Sequence, residues 1–181
     1  MTIRETGFEG LLLFEPDVHP DERGFFLETF REEDLARAGV RVRFVQDNHS
    51  RSLRNVVRAL HFQVPPGQVK LVRCARGTVF DVAVDIRESS PTFGKCFTVE
   101  LSDENHRQLF VPAGFAHGFC VISDVADVVY KCGGYHDSAA ERGIAWDSPE
   151  LAVDWPTDSP LLSARDRRHP TFSEYPGPWF P

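Results

Sequence analysis

The sequence predicts an all-β protein of the antiparallel sandwich, jelly-roll or small-barrel type. Short apolar or alternating segments recur along the chain, and turn signals such as "VPPG", "ESSPTFG" and "PAG" separate them. Only the segment "REEDLARAG" at 31–39 has the early acids and final glycine that are typical of a helix. Many short strands with little helix are typical of these antiparallel architectures.

The predicted strands follow one another closely. The clearest is "TVFDVAVDIR", in which Phe80, Val82 and Val84 share one face while Asp81 and Ala83 share the other. We place strands near 8–15, 23–30, 42–48, 55–64, 69–75, 78–87, 96–101, 107–112, 115–122 and 126–132. From about 144 the pattern is irregular but retains apolar residues, so we expect this tail to pack over the sheets. There is no repeat or linker, so residues 1–181 are expected to form one domain.

Composition and net charge exclude some classes of function. Apolar residues make up 41% and charged residues 26% of the 181 positions, which is ordinary for a soluble globular protein. A net charge of -7 argues against non-specific binding to nucleic acid or anionic membranes. The N-terminus has no signal-type apolar core and no segment approaches a membrane span, so the cytoplasm is the expected location.

The four cysteines show no pattern that indicates chemistry. Cys74, Cys96, Cys120 and Cys132 form no C-x-x-C pair and no zinc-type cluster with histidine. Each lies among apolar residues, so we expect reduced thiols that pack as small hydrophobic side chains.

Two histidines have apolar strand neighbours. His61 lies in "RALHFQV" and His117 in "GFAHGFCVIS", whereas the other five histidines lie in polar contexts and are expected to be solvated. Further polar residues recur in the other predicted strands: Arg23, Glu28, Gln46, Asn48, Lys70, Tyr130 and Lys131. A barrel whose strands carry polar side chains inward usually encloses a polar ligand.

The stretch "RALHFQ" poses a problem of strand parity. Arg58 and His61 are an odd number of positions apart, so a regular strand would point them to opposite faces. A β-bulge would bring both to one face. Alternatively, Arg58 would serve the pocket of a neighbouring subunit.

The candidate residues favour proton transfer over metal chemistry. No H-x-H pair occurs, Gln63 takes the second position after His61, and no phosphate loop or nucleophile motif is present. No metal site is therefore expected. An imidazole is a suitable base near neutral pH, a phenol can donate a proton, and a lysine can stabilise an oxyanion. Asp166 or Asp81 could hold the imidazole in one tautomer.

Six ordered blocks resemble one known family. They are "DERGFF-E-F", "FVQDNHS", "VVRALHFQ-PPGQ-K-V", "G-VFDVAVDIR-SPTFG", "LS-EN-RQL--P-GFAHGF" and "YKC--Y", between about residues 8 and 166. Together they are similar to the dTDP-4-dehydrorhamnose 3,5-epimerase family. The resemblance implies a cupin-type jelly roll with a few short helices, a homodimer, and an isomerase that inverts C3 and C5 of a dTDP-4-keto-6-deoxy sugar without a cofactor.

The resemblance also implies residue roles. His61 would accept the proton, Tyr130 would donate one, Lys70 would lie at the keto oxygen and Asp166 would orient His61. The residues implied to bind the nucleotide sugar are Arg23, Glu28, Gln46, Asp47, Asn48, Arg58, His117, Tyr135 (stacked on thymine), Glu141 and Arg165. Two positions depart from the family pattern: Arg165 replaces a common lysine, and His136 replaces a frequent second tyrosine.

Alternatives remain for the reaction. A C3-only or C5-only epimerase or a 3,4-ketoisomerase would use a similar barrel, and a non-catalytic barrel would only bind the sugar nucleotide. Retention of both His61 and Tyr130 argues against the last, because binding alone needs neither an acid nor a base.

Overall fold

The computed structural model describes residues 1–181 and consists almost entirely of antiparallel strands. The strands are β1 (Thr2–Glu5), β2 (Leu12–Glu15), β3 (Val18–Asp21), β4 (Gly24–Leu27), β5 (Gln46–Leu53), β6 (Val57–Gln63), β7 (Lys70–Arg76), β8 (Thr78–Asp85), β9 (Cys96–Ser102), β10 (Gln108–Val111), β11 (Phe115–Val121), β12 (Val125–Cys132) and β13 (Glu141–Gly143). One short helix, α1 (Glu32–Arg37), and one 3-10 turn, Asp166–Arg168, complete the chain.

Two sheets pack face to face. The first has the order β1-β2-β10-β7-β12-β5 and the second β13-β6-β11-β8-β9, while β3 and β4 form a separate hairpin. The two sheets do not join into a closed barrel. The predicted all-β jelly roll is confirmed.

Apolar side chains from both sheets fill the interior. Leu13, Val72 and Leu109 of the six-stranded sheet pack with Ala83 and Val121 of the five-stranded sheet, and each is at most 9% exposed. The alternation predicted for β8 explains the layering, because its two sets of side chains enter different apolar layers. Burial of the leucine and valine side chains among them contributes roughly 1.5–3 kcal/mol each.

The C-terminal segment covers the other face of the five-stranded sheet. Val82 and Val84 of β8 pack there with Trp155 and Phe180 of the tail. Phe180 also exchanges backbone hydrogen bonds with the residues just after β8: its N–H donates to the carbonyl of Ile86 over 3.1 Å, and its carbonyl accepts from the N–H of Glu88 over 2.8 Å. The expectation that the tail packs over the sheets is confirmed.

The sequence placed one strand wrongly and missed three. The strand predicted at 42–48 is β5 at Gln46–Leu53. Residues 42–45 contain the apolar side chains Val42 and Phe44, which pack on the outer face of the six-stranded sheet without joining it as a strand. The strands β1, β3 and β13 are only three or four residues long, which is too short for a clear periodic signal.

The helix and the cysteines agree with the sequence. The predicted helix at 31–39 is α1, and Gly39 follows it with φ of 77°, a conformation that favours glycine at a helix end. All four cysteines are free thiols, and burial raises the pKa of Cys74 and Cys120 to about 11. The helices include none with the length and apolar character needed to cross a membrane.

Candidate active site

A cavity of about 240 Å³ lies between the two sheets. The six-stranded sheet supplies one wall with Ser50, Lys70, Val128 and Tyr130. The five-stranded sheet supplies the facing wall with Arg58, His61, His117, Phe119 and Glu141. Base-type and acid-type side chains therefore lie on opposite sides of one polar space.

A β-bulge brings Arg58 and His61 to the same wall. His61 stands opposite His117 and Arg58 stands opposite Phe119, so Gly118 alone faces the two residues Ala59 and Leu60. The extra residue reverses the parity of the strand. Of the two explanations open from the sequence, the bulge is the one found in this chain.

Asp166 holds the imidazole of His61. The Nε2 atom of His61 lies 2.6 Å from Oδ1 of Asp166, whose side chain is only 5% exposed. A carboxylate accepts at that nitrogen, so Nε2 carries the proton and Nδ1, which has no protein partner, is left to accept one. Burial by itself would raise the pKa of Asp166, but the nearby imidazole of His169 and hydrogen bonds with His61 and Ser163 hold that pKa well below its usual range.

Asp81, the other candidate partner for His61, binds His117 instead. Nε2 of His117 lies 2.9 Å and 3.0 Å from the two carboxylate oxygens of Asp81, and Asp81 is fully buried. His117 and His61 are direct cross-strand neighbours, so two imidazoles stand side by side on the wall, each fixed by its own carboxylate.

Lys70 and Tyr130 project from the facing wall. Burial lowers the pKa of the Lys70 ammonium, and no carboxylate lies within 4.0 Å of it. Burial raises the pKa of the Tyr130 hydroxyl, which keeps the phenol protonated at neutral pH and able to donate. The wall thus offers an amine and a proton donor to a ligand.

The two departures from the family pattern converge on one carboxylate. Glu141 accepts hydrogen bonds from His136 over 2.9 Å and from Arg165 over 2.7 Å. Burial would raise the pKa of Glu141, but these two bonds hold it below its usual range. His136 and Arg165 are about half exposed, so the group marks the solvent end of the cavity.

Strand β5 divides its predicted binding residues between two faces. Gln46 and Asn48 lie on the inner face, where the amide of Gln46 donates to Asn48 over 3.1 Å. Asp47 lies on the outer face and binds Lys131 at 3.0 Å. The structure therefore does not bring Asp47 to the cavity of this chain.

Three other predicted residues also lie away from the cavity. Arg23, in the turn of the β3–β4 hairpin, pairs with Asp21. Glu28 follows the hairpin and binds Arg31 at 2.7 Å. Tyr135 is 74% exposed.

Sequence reasoning missed His169 and Ser50. His169 was expected to be solvated, yet its side chain is only 11% exposed and its Nε2 lies 3.5 Å from Oδ1 of Asp166. His61, Asp166 and His169 place their ligand atoms within 4.8 Å of one another, a proximity that spacing along the sequence did not indicate. The hydroxyl of Ser50 is buried on the cavity wall without a hydrogen-bond partner, and no sequence signal distinguished it.

The arrangement suits proton transfer at a carbon next to a carbonyl group. One wall carries an oriented imidazole with a free nitrogen. The facing wall carries a protonated phenol and a lysine, which can stabilise negative charge on a carbonyl oxygen.

Comparison with known proteins gives consistent matches. A family model described as dTDP-4-dehydrorhamnose 3,5-epimerase matches residues 5–174. A dTDP-4-dehydrorhamnose 3,5-epimerase of Shigella flexneri is 54% identical over 168 residues, covering 92% of this chain and 93% of the relative. A dTDP-4-dehydrorhamnose 3-epimerase of Streptomyces niveus is 46% identical over 92% of this chain and 82% of the relative.

A solved structure is similarly close. The dTDP-6-deoxy-D-glucose-3,5-epimerase of Legionella pneumophila, in complex with dTDP-4-keto-L-rhamnose, superposes with a TM-score of 0.93 at 45% identity. The superposition covers 96% of this chain and 94% of that one.

Proposed function

This chain belongs to the dTDP-4-dehydrorhamnose 3,5-epimerase family, and we propose that it converts dTDP-4-keto-6-deoxy-D-glucose to dTDP-4-keto-L-rhamnose. The reaction inverts the sugar at C3 and at C5. One observation carries the proposal: His61 and Tyr130 project into the same cavity from facing sheets. Inversion requires a base on one face of the sugar ring and an acid on the other.

Each proton-transfer step of the reaction can be assigned to one of these groups. The C4 ketone acidifies the C–H bonds at C3 and C5, and Nδ1 of His61 takes the proton while the electron pair moves to the C4 oxygen. Lys70 stabilises the enolate oxygen. Tyr130 then gives its proton to the same carbon from the other face, and the carbonyl re-forms. The imidazolium of His61 loses its proton to solvent and the Tyr130 phenolate takes one up from solvent, so both groups are restored for the second carbon. No electrons are gained or lost, so no redox cofactor is needed.

Asp166 keeps His61 ready for this step. Its carboxylate fixes the tautomer in which Nε2 carries the proton, and it stabilises the imidazolium that forms. Because Asp166 stays ionised, that stabilisation is available across the physiological pH range.

The cavity size suggests how the substrate binds. Its volume of about 240 Å³ is below the ~300–1,000 Å³ of pockets that enclose a drug-sized ligand. We propose that the sugar ring occupies the cavity with Arg58 and His117, while the nucleotide lies at the solvent end near Glu141, Arg165 and Tyr135. Gln46 and Asn48, on the inner face of β5, would add polar contacts.

A homodimer would account for the residues that lie outside the cavity. The β3–β4 hairpin exposes Phe25 by 59% and Phe26 by 71%, which is unusual for large apolar side chains on one short element. We propose that a second copy covers this hairpin, so that Arg23 and Glu28 reach the partner's nucleotide.

Two broader expectations belong to the same proposal. The whole chain, 1–181, acts as one epimerase domain, which is supported by the contacts of the tail with the five-stranded sheet. The enzyme works in the cytoplasm, which is supported by its four free thiols.

Incubation with the 4-keto sugar nucleotide in D2O tests the function. We expect deuterium at both C3 and C5 and a product of L configuration. The similarity to the Streptomyces niveus 3-epimerase favours a single-centre epimerase as the second candidate. Deuterium confined to C3 after many turnovers would establish that candidate, and no exchange at either carbon would refute epimerisation.

A further inference from the structure

His169 is a buried histidine that the proposed proton transfer does not use. Its Nε2 atom is fully buried and makes no hydrogen bond of good geometry. The nearest acceptor is Oδ1 of Asp166 at 3.5 Å, the same oxygen that binds His61 at 2.6 Å. A buried ring nitrogen without a partner carries an energetic cost, so its location needs a reason.

The fold makes room for this ring beside His61. Gly143 of β13 is the ladder partner of His61, and a Cβ atom at Gly143 would overlap the imidazole of His169. The rings of His61 and His169 meet edge to face with centroids 5.7 Å apart. A glycine at this one position therefore lets His169 pack against the base and its carboxylate together.

The charged groups around His169 are few. Asp166 is the only carboxylate within 4.0 Å of its ring nitrogens. The imidazole of His61, on β6, faces the ring of His169. Glu141, a carboxylate on the cavity wall, is already bound by His136 and Arg165. Asp166 is therefore the only carboxylate near enough for the Nε2–H of His169 to reach.

We propose that His169 is a positioning residue, whose Nε2–H donates to Asp166 and holds that carboxylate against His61. The inference rests on the proposed role of His61 as the base. Held from two sides, the carboxylate has one orientation, and Nδ1 of His61 is kept aimed into the cavity. His169 does not line the cavity, so it acts through Asp166 and not on the substrate.

Two variants separate the donor from the bulk of the ring. His169→Phe keeps a planar ring against Gly143 but removes the N–H, whereas His169→Gln keeps an N–H donor without the ring. We expect His169→Phe to lower kcat by about 10-fold with KM unchanged, because small misplacement of a catalytic group can cost up to ~10²-fold. His169→Gln should recover most of the lost rate. Wild-type kcat in His169→Phe, or an equal loss in both variants with equal stability, would overturn the inference.

A spectroscopic readout is independent of turnover. The proton of the 2.6 Å His61–Asp166 hydrogen bond should give a far-downfield NMR resonance in the wild type and in His169→Gln. It should broaden or move upfield in His169→Phe. An unchanged resonance in His169→Phe would count against the inference even if wild-type epimerisation were absent.

Gly143→Ala gives a second route if His169→Phe folds poorly. It displaces the His169 ring without altering any titratable group, and we expect the same selective loss of kcat. A wild-type enzyme that does not epimerise would refute the proposed function, whereas an active wild type with unaffected variants would refute only the role of His169.

Discussion

Arg58 and His61 share one wall of the cavity although three positions separate them in the same strand. The bulge at Ala59 and Leu60 makes this possible, and Gly118 of the neighbouring strand makes the bulge possible. A Cβ atom on Gly118 would lie 2.6 Å from Cβ of Ala59 and 2.7 Å from the carbonyl oxygen of Arg58. The placement of His61, the proposed base, therefore depends on a residue with no side chain.

Gly118→Ala tests this dependence. We expect it to destabilise the fold by about 1–3 kcal/mol, because the added methyl group overpacks a rigid backbone contact. It should also lower activity, since relief of the clash moves Arg58 and Ala59. Urea unfolding and epimerase assays measure the two effects. Gly134→Ala is the matched control, because a Cβ there meets nothing within 4 Å; equal behaviour of the two variants would contradict the role of the bulge.

The bulge marks one limit of what the sequence predicts. Most of the strands, the helix and the layering of β8 follow from local periodicity, and the structure confirms them. A bulge depends instead on how two distant segments pair. Strict alternation therefore left the relation of Arg58 to His61 undecided, although the sequence contained both residues and Gly118.

β5 and His169 mark two further limits. In β5, polar residues occupy both faces: Asn48 faces the cavity, and Asp47 binds Lys131 on the outer face. The segment therefore lacks the alternation of apolar and polar residues by which a strand is predicted. His169 lies in a polar stretch, and its burial depends on the space above Gly143. Neither environment can be inferred from neighbours in the sequence.

Removal of metal ions should leave the enzyme active. In the proposed proton transfer through His61 and Tyr130, the amine of Lys70 stabilises the enolate oxygen, so the chemistry does not require a Lewis acid. We expect full activity after prolonged EDTA treatment and less than one equivalent of bound metal by elemental analysis. Loss of activity that a single divalent ion restores would contradict this, and the cluster of His61, Asp166 and His169 would then be the place to look for that ion.

Acid stability should depend on Asp85. This buried carboxylate accepts hydrogen bonds from Arg87, Ser90 and Thr92 over 2.6–2.7 Å. Burial alone would raise its pKa, but these bonds lower it from 3.8 to about 2. A lowered pKa adds stability that is complete above the unfolded-state value of 3.8 and is lost as the pH falls through about 2.

Asp85→Asn measures that contribution. The free energy of unfolding should fall by about 2 kcal/mol or more at neutral pH, and the gap to the wild type should narrow as the pH falls below about 4. Urea unfolding over this pH range records the gap. Asp103→Asn, a change of a partly exposed carboxylate that makes no ion pair within 4.0 Å, is the control. A gap for Asp85→Asn that stays constant with pH would show that its ionisation is not the stabilising factor.

Sedimentation should report a dimer of two 20.5 kDa chains. The exposed rings of the β3–β4 hairpin, above all Phe26, supply an apolar surface for the second copy. Phe26→Ser should weaken the dimer without loss of fold, whereas Leu161→Ser, a change of another exposed apolar residue, should not. A fully active wild-type monomer at micromolar concentration would refute the dimer and with it a role for Arg23 and Glu28 across the interface.

The two proton carriers should fail in different ways. His61→Asn removes the base of the first step, so we expect both deuterium wash-in and epimerisation to fall by at least the ~10²–10⁴-fold that a general base contributes. Tyr130→Phe retains the ring and removes only the hydroxyl. Enolate formation still has its base and Lys70, so wash-in should persist while inversion is lost, and the exchanged substrate should keep its D configuration. Mass spectrometry and NMR of the recovered sugar nucleotide distinguish the two outcomes.

Tyr175→Phe, which removes a hydroxyl in the C-terminal tail, is the matched control. Equal loss of exchange and inversion in Tyr130→Phe would show that Tyr130 is needed before the enolate forms, and the proton from the facing wall would then have to come from another group.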